Sequence, residues 1–518
     1  MRRARALYHS VSLPAAVTAM RRRYAALLAV LCLAMPPLYA KAAAPAPSDQ
    51  QVLHVLNRLA FGSTLDDFYR VKAIGIARYI AEQLHPETIP EPFDLTLRLD
   101  QLGTAKADAV ELRRLYGPLR PVLGVKPTPE EQKAQQERAR TVLAEAQQDR
   151  ILRALYSRRQ LQEVMVDFWF NHFNVFAGEE LDRIWVGNYV AQAIRPYVLG
   201  HFRDLLLATA KHPAMLVYLD NTQNTVQKNG GPGLNENYAR EVMELHTLGV
   251  DGGYAQADVI MLARILTGWR LNTPDGRQFP NSAAVFVGSR HDYAPKIFLG
   301  HKMQASGRAE GEEALALLAG SPATARHISF ELAQYFVADQ PPPALVERLA
   351  KRFLASDGDI RAVLQTLFQS PEFWNSAGDK YKTPLQYVIS AVRAAGVPVY
   401  NPRPLIGAMA ALGQPLYGCE TPDGYKNTEA AWLSPDATLK RIGFALALAR
   451  GTLPLVATPA GSPFVLVSQV RPRNPVDPAH IAAIFGASLG ERTRAALNAA
   501  PPGLRAAMIL GSPDFMMH

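Results

Sequence analysis

Six Ser-Pro or Thr-Pro pairs, each with helical pattern behind it, constrain this 518-residue chain more than any other feature. They are Thr128-Pro129, Ser321-Pro322, Ser370-Pro371, Thr383-Pro384, Ser434-Pro435 and Ser512-Pro513. A hydroxyl at the N-cap accepts from a free N–H of the first turn. A proline at the next position removes an N–H that no helix uses there. Six such starts predict a mainly α, multihelical body. Glycine and proline, 35 and 39 of them, fall between periodic segments more than inside them. The longest candidate helix starts at Thr128, where Glu131 completes a capping box, and after Pro129 meets no Gly or Pro until Gly178. Its first half, Gln132 to Arg150, is polar, and its second half, Ile151 to Phe176, is rich in large apolar residues. Strand signals are few. Ala284-Val-Phe-Val and Pro463-Phe-Val-Leu-Val-Ser-Gln-Val predict minor β ribbons.

The first forty residues read as a targeting segment. Arg2, Arg3, Arg5, Arg21, Arg22 and Arg23 stand there with no acid, before an apolar run from Ala25 and the small residues around Ala40. This is the layout of a secretory signal peptide, with an apolar run too short to span a bilayer. Its removal takes the formal +9 to +3, so the basic balance is mostly the signal and predicts no nucleic-acid partner. It also removes Cys32 and leaves Cys419 alone, which excludes an intramolecular disulfide and any Cys-rich metal site. The expected location is the periplasm or cell envelope, with no membrane span in the mature chain. The expected organisation is a signal peptide over 1–42 and a helical region with a Pro-rich connection over 43–127. A central helical region carrying a polar cleft follows over 128–380, and a C-terminal helical lobe over 381–518.

Two segments carry candidate chemistry. On a helical wheel Arg159, Glu163, Asp167, Asn171 and Asn174 share an arc of about 120° on an otherwise apolar helix. Such a stripe either meets solvent or lines an internal cleft, and its lack of lysine favours the cleft. The second segment is Asn235-Glu-Asn-Tyr-Ala-Arg-Glu-Val-Met-Glu-Leu-His-Thr-Leu-Gly249. Asn235 is the expected N-cap and Gly249 the expected stop, for a helix of three to four turns. Asn237, Arg240, Glu241 and Glu244 share one face. Two carboxylates three residues apart beside an arginine suit an acid/base pair, divalent-metal ligation with Asp167 and Asn237, or a structural ion-pair network. His246 points away from the Glu pair, and His172 away from Asp167, so neither helix by itself joins them. For His172, His212 and His246 taken singly, a satisfied buried or supporting histidine is the favoured reading. The Gly230–Gly233 loop lacks the lysine of a phosphate loop and reads as a turn. Gly486-Ala-Ser-Leu-Gly490 has helical pattern before it, so it reads as a helix–helix turn and not a nucleophile elbow.

These residues also carry a resemblance. His54-Val-Leu-Asn-Arg-Leu-Ala-Phe-Gly, Phe168-Trp-Phe-Asn-His-Phe, Leu234-Asn-Glu-Asn-Tyr-Ala-Arg-Glu-Val-Met-Glu-Leu-His and Leu266-Thr-Gly-Trp resemble the domain-of-unknown-function 1800 family. His291-Asp292 with Lys296, Ser370-Pro-Glu-Phe-Trp and Ala431-Trp-Leu-Ser-Pro extend the likeness over roughly Gln51 to Met516. The family pattern has glycine where Ala294 stands and leucine where Val242 stands. The resemblance implies an exported bacterial protein, often encoded beside a second exported family of sulfatase-like appearance. It adds Asn171, Asn235, Asn237, His291, Asp292 and Lys296 as matching positions for substrate binding.

Two functions follow as expectations. One is an envelope enzyme, most simply hydrolytic, with Glu241 or Glu244 as base or metal ligand, Arg240 orienting them, and Asp167, His172 or His246 completing the acid/base set. The other is a non-catalytic envelope assembly protein whose partner is another exported protein. An enzyme needs the Glu241/Glu244 face open to a pocket, whereas a scaffold buries it in ion pairs and exposes an apolar patch elsewhere.

Overall fold

All six hydroxyl–proline pairs start helices in the structure, a computed structural model that describes residues 46–119, 126–179, 181–226, 233–272, 282–456 and 475–518. In each, the Ser or Thr side chain accepts from an N–H of the first turn and proline occupies the first helical position. Thr128 and Thr383 form full capping boxes with Glu131 and Gln386. The predicted signal peptide, residues 230–232 of the glycine loop and the ribbon predicted from Pro463 lie outside the described residues.

Helices dominate Pro47–His518, which forms one compact unit. The sheet content is two antiparallel ribbons. Trp269–Leu271 pairs with Ala284–Phe286, at the predicted ribbon, and Lys296–Phe298 pairs with His301–Met303. Leu299 and Gly300 close the second ribbon with φ of 47° and 80°, the twist a two-residue hairpin turn requires. One continuous apolar core runs from Val52 to Met516. Buried arginine ties distant parts of the chain across it. Arg393, on the Pro384–Ala395 helix, donates to Asp67 at 2.7 Å, to the Gly62 carbonyl at 3.2 Å and to the Leu155 carbonyl at 2.6 Å.

The long helix predicted from Thr128 to Gly178 is two helices, Pro129–Tyr156 and Gln160–His172. The break comes from side chains that satisfy the new ends. Ser157 Oγ accepts from Arg159 N at 3.0 Å, and the Gln160 amide donates to the Ser157 carbonyl at 2.8 Å. Gln83, from far earlier in the chain, accepts from Leu161 N at 3.0 Å, and Arg393 takes a freed carbonyl of the first helix. No local Gly or Pro announces this break. Gly486–Gly490 is the predicted helix–helix turn, between Pro478–Phe485 and Glu491–Ala499.

Candidate functional site

The polar stripe of the Gln160–His172 helix turns inward. Glu163 is buried and ion-paired to Arg195, and Asp167 Oδ1 accepts from the buried Arg150 at 2.9 Å. Past Asp167 the stripe opens on a cavity of about 270 Å³ that Asp167, Asn171, His172 and Asn174 line together. The cavity brings Asp167 and His172 to one space, although the wheel set them apart, because the lining continues past the helix end to Asn174.

The opposite wall is the segment Gln414–Asn427, strapped down by the two asparagines. Asn171 Nδ2 donates to the Tyr425 carbonyl at 2.9 Å and its Oδ1 accepts from Tyr425 N at 2.8 Å. Asn174 donates to the carbonyls of Cys419 and Thr421 at 3.0 and 2.9 Å. Gly424 allows this approach. Its φ is +66°, and a Cβ there would stand 2.3 Å from the Asn171 carbonyl oxygen.

The third wall is the Pro322–Phe336 helix, which contributes His327, Glu331 and Tyr335. None of these was singled out in the sequence. Glu331 Oε2 stands 2.7 Å from His172 Nδ1, and His327 Nε2 stands 3.5 Å from Glu331 Oε1. Burial opposes ionisation of Glu331. The charges and hydrogen bond of His172, with help from His327, outweigh it and hold the carboxyl below its ordinary range. His172 Nε2 faces the His246 carbonyl at 3.2 Å, so both its nitrogens face acceptors. His327 donates from Nε2 to the Leu245 carbonyl at 3.2 Å, which leaves Nδ1 as its free lone pair. Burial raises the Asp167 carboxyl, and Arg150 only partly offsets this, so the cavity faces a carboxyl shifted toward its protonated form.

The Glu241 segment departs from its expected shape. Its helix covers Asn237–Glu244, eight residues with Glu236 as N-cap, and Asn235 caps from one position earlier by accepting from Asn237 N at 2.9 Å. After Glu244 the regular ladder ends in a wider turn, since Leu245 N and His246 N both donate to the Glu241 carbonyl. His246 therefore leaves the helix and packs against Phe173 and His172 at ring distances of 5.0 and 5.9 Å. Burial first, and then the charges of His172 and His327, push it well below its ordinary value, so it is a neutral, buried ring. Glu244 lines the cavity. Arg240 lies outside, bridging Glu236 at 3.2 Å, Glu244 at 3.5 Å and Gln256 at 2.9 Å. Glu241 is half-buried beyond the cavity lining and makes no ion pair among the described residues. Burial, then Glu244 and Asp423, push its carboxyl up. Asn237 is exposed.

The cluster of His291, Asp292 and Lys296 is elsewhere. His291 Nε2 stands 2.9 Å from Glu310, Lys296 Nζ stands 3.0 Å from the same carboxylate, and all three side chains are buried. Asp292 pairs with Arg264 at 2.6 Å. This triad locks the ribbon onto the Arg308–Ala319 helix and takes no part in the 270 Å³ cavity. His212 caps the Pro213–Tyr218 helix through Nδ1 and holds Asn188 through Nε2, and burial pushes it down to about 3. The divalent-metal set considered above is not gathered, because Asp167 is tied to Arg150 and Asn237 faces out. Among the described residues no group of three or more His, Cys, Asp or Glu has metal-holding geometry. Nor is any described helix long and apolar enough to cross a membrane.

No curated protein and no solved structure matches the chain. A family model described as a protein of unknown function, DUF1800, matches residues 54–517. That span takes in every wall of the cavity and the His291 triad, and the chain belongs to the DUF1800 family.

Proposed function

We propose that the chain is an exported envelope enzyme that hydrolyses its substrate by acid–base catalysis in the 270 Å³ cavity. The observation that carries this reading is the pairing, within one cavity, of an Asp167 carboxyl pushed up by burial with a His327 ring whose Nδ1 is free. A proton donor and a free lone pair facing one cavity are what acid–base work needs. His327 Nδ1 takes a proton from an attacking water, with Glu331 behind its Nε2 at 3.5 Å stabilising the charge that forms. Asp167 gives its proton to the leaving group, and Arg150 stabilises the carboxylate that remains. His172, held at both nitrogens, fixes Glu331 in place. Gly249 keeps Nδ1 open, since a Cβ there would approach it to 3.1 Å. Glu244, at the wall of the same cavity, supports the envelope-enzyme expectation over a fully ion-paired scaffold.

The test is a panel of chromogenic esters, amides and glycosides with the native chain, Asp167→Asn and His327→Gln. Turnover of one class, reduced about 10²–10⁴-fold in each folded variant, supports the reading. Native-like rates in both variants, or no turnover of any class by the native chain, overturn it.

A second reading, an envelope assembly protein bound to an exported sulfatase-like partner, is favoured by one observation. Leu433, Leu439 and Ile442, on and just before the Pro435–Ala449 helix, are 51, 70 and 45% exposed. Co-purification of such a partner from the envelope, lost in Leu439→Glu, would move the assignment to this reading.

A further inference from the structure

A second cavity, of about 360 Å³, shares the Tyr417 wall with the candidate site. Its size is at the low end of ligand pockets, about 300–1,000 Å³. Glu91, Asp100, Lys106, Asp149, Arg153 and Arg195 line it. Each charge is already balanced. Arg153 Nε donates to both oxygens of Asp149 at 3.0 Å, Arg195 pairs with Glu163, and Lys106 pairs with Asp100 at 2.7 Å. Glu91 accepts from Ser157 at 2.8 Å and faces Arg159 at 3.8 Å. An ion entering here would lose hydration and meet no unpaired counter-charge.

Hydrogen-bonding capacity, by contrast, is unspent. The two terminal nitrogens of Arg153, the second oxygen of Asp100 and the hydroxyl of Tyr417 make no hydrogen bond among the described residues. Tyr417 is only 3% exposed, and the buried Arg195 Nη2 on the same lining also has no hydrogen-bond partner among the described residues. Burial pushes the Tyr417 phenol up, so the group stays a donor. Its backbone is also unusual. Tyr417 has φ of +64°, a left-handed conformation that bulky residues rarely adopt. The Ala177 N–H holds its carbonyl at 3.0 Å, and Gln147 holds the Leu416 carbonyl at 3.1 Å. Across the cavity, the chain before Arg195 makes a π-helical turn, Val190–Ile194. Such turns recur at functional sites, where they re-aim the residues that follow.

We propose that this cavity binds a small uncharged polyol of single-sugar size. The Arg153 fork donates to two neighbouring hydroxyls, Asp100 accepts from one, and the Tyr417 hydroxyl donates to another. The site stands independently of the acid–base reading, since of its polar groups only Tyr417 also lines the first cavity, and it has no role in that chemistry.

Saturation-transfer NMR on the full chain tests it, with myo-inositol and methyl glucoside as neutral probes and spermidine and inorganic phosphate as charged ones. The expected result is transfer to a neutral probe, unaffected by either charged one. In the double variant Tyr417→Phe/Asp100→Asn, binding falls about fivefold, the loss of one to two hydrogen bonds. Both changes keep side-chain shape, and Asp100 is half exposed, so the variant folds. No transfer to either polyol, competition by phosphate or spermidine, or unchanged affinity in the double variant would each overturn the proposal.

Discussion

His172 Nδ1 and Glu331 Oε2 meet at 2.7 Å across 159 positions of sequence, and this pair joins the two helices that face the cavity. Its partners explain its charge state. His172 has acceptors on both nitrogens, and Glu331 has an imidazole on each oxygen. The pair is the fixed frame against which Asp167 and His327 are set.

Glu331→Gln removes the charge that His172 faces. The expected loss is about 1–3 kcal/mol at pH 7, the range for a hydrogen bond to a charged group, read by urea unfolding. The sign with pH follows from the lowered carboxyl. Its stabilisation is complete above the unfolded value and is lost as pH falls through the lower folded value. The native chain therefore loses stability below about pH 4.5, and the variant loses less there. Equal acid sensitivity of the two would contradict the pairing.

Buried histidines set a different window. Burial holds His212 at about 3 and His54 at about 4. Burial and two neighbouring imidazoles hold His246 lower than its ordinary value. All three bind protons in the unfolded chain before the folded one. Stability is then highest above about pH 6.5 and declines as pH falls toward 4. His212→Asn, which keeps a capping oxygen, makes that decline shallower in thermal melts between pH 7 and 5.

The strap over the cavity rests on one backbone position. Gly424→Ala forces a Cβ against the Asn171 carbonyl at a φ that favours glycine. About 1–3 kcal/mol of destabilisation is expected. Asn171→Ala removes both bonds to Tyr425 for about 1–3 kcal/mol. Hydrogen exchange places both effects: amides of residues 415–427 exchange faster, while those of the Pro384–Ala395 helix do so only by the global shift.

Lys296 and Glu310 test whether the His291 cluster is structural. Both side chains are buried, so Lys296→Met leaves Glu310 with a single imidazole partner. A loss of about 3–5 kcal/mol follows from breaking a buried pair on one side. Any hydrolytic rate per folded molecule stays unchanged, because the cluster lies outside the cavity. A stable variant with altered rate would move this cluster into the reaction.

Helix starts were legible because capping is local chemistry. A hydroxyl and the N–H groups two or three residues on are close in any chain that begins a turn, so Thr128, Ser321 and Ser434 needed no tertiary context. The polar stripe through Glu163, Asp167 and Asn171 was legible for the same reason, since 3.6-residue periodicity puts them on one face, whereas Asn174 joins the lining from beyond the helix end. His327 and Glu331 carried only a faint signal, an i,i+4 pair on an ordinary amphipathic helix.

What tertiary structure alone decided is which faces meet and where a periodic segment stops. Gln83 and Arg393 end one helix and start another at Ser157 because their side chains supply partners for backbone groups that a continuous helix would have bonded itself. His246 leaves its helix because its N–H reaches back five residues to the Glu241 carbonyl, which ends the regular ladder. His291 and Lys296 are drawn from the site by Glu310, a residue with no local mark in the sequence. Caps and periodicity act within a few residues. Charge pairing and backbone satisfaction act between residues that only the folded chain brings together.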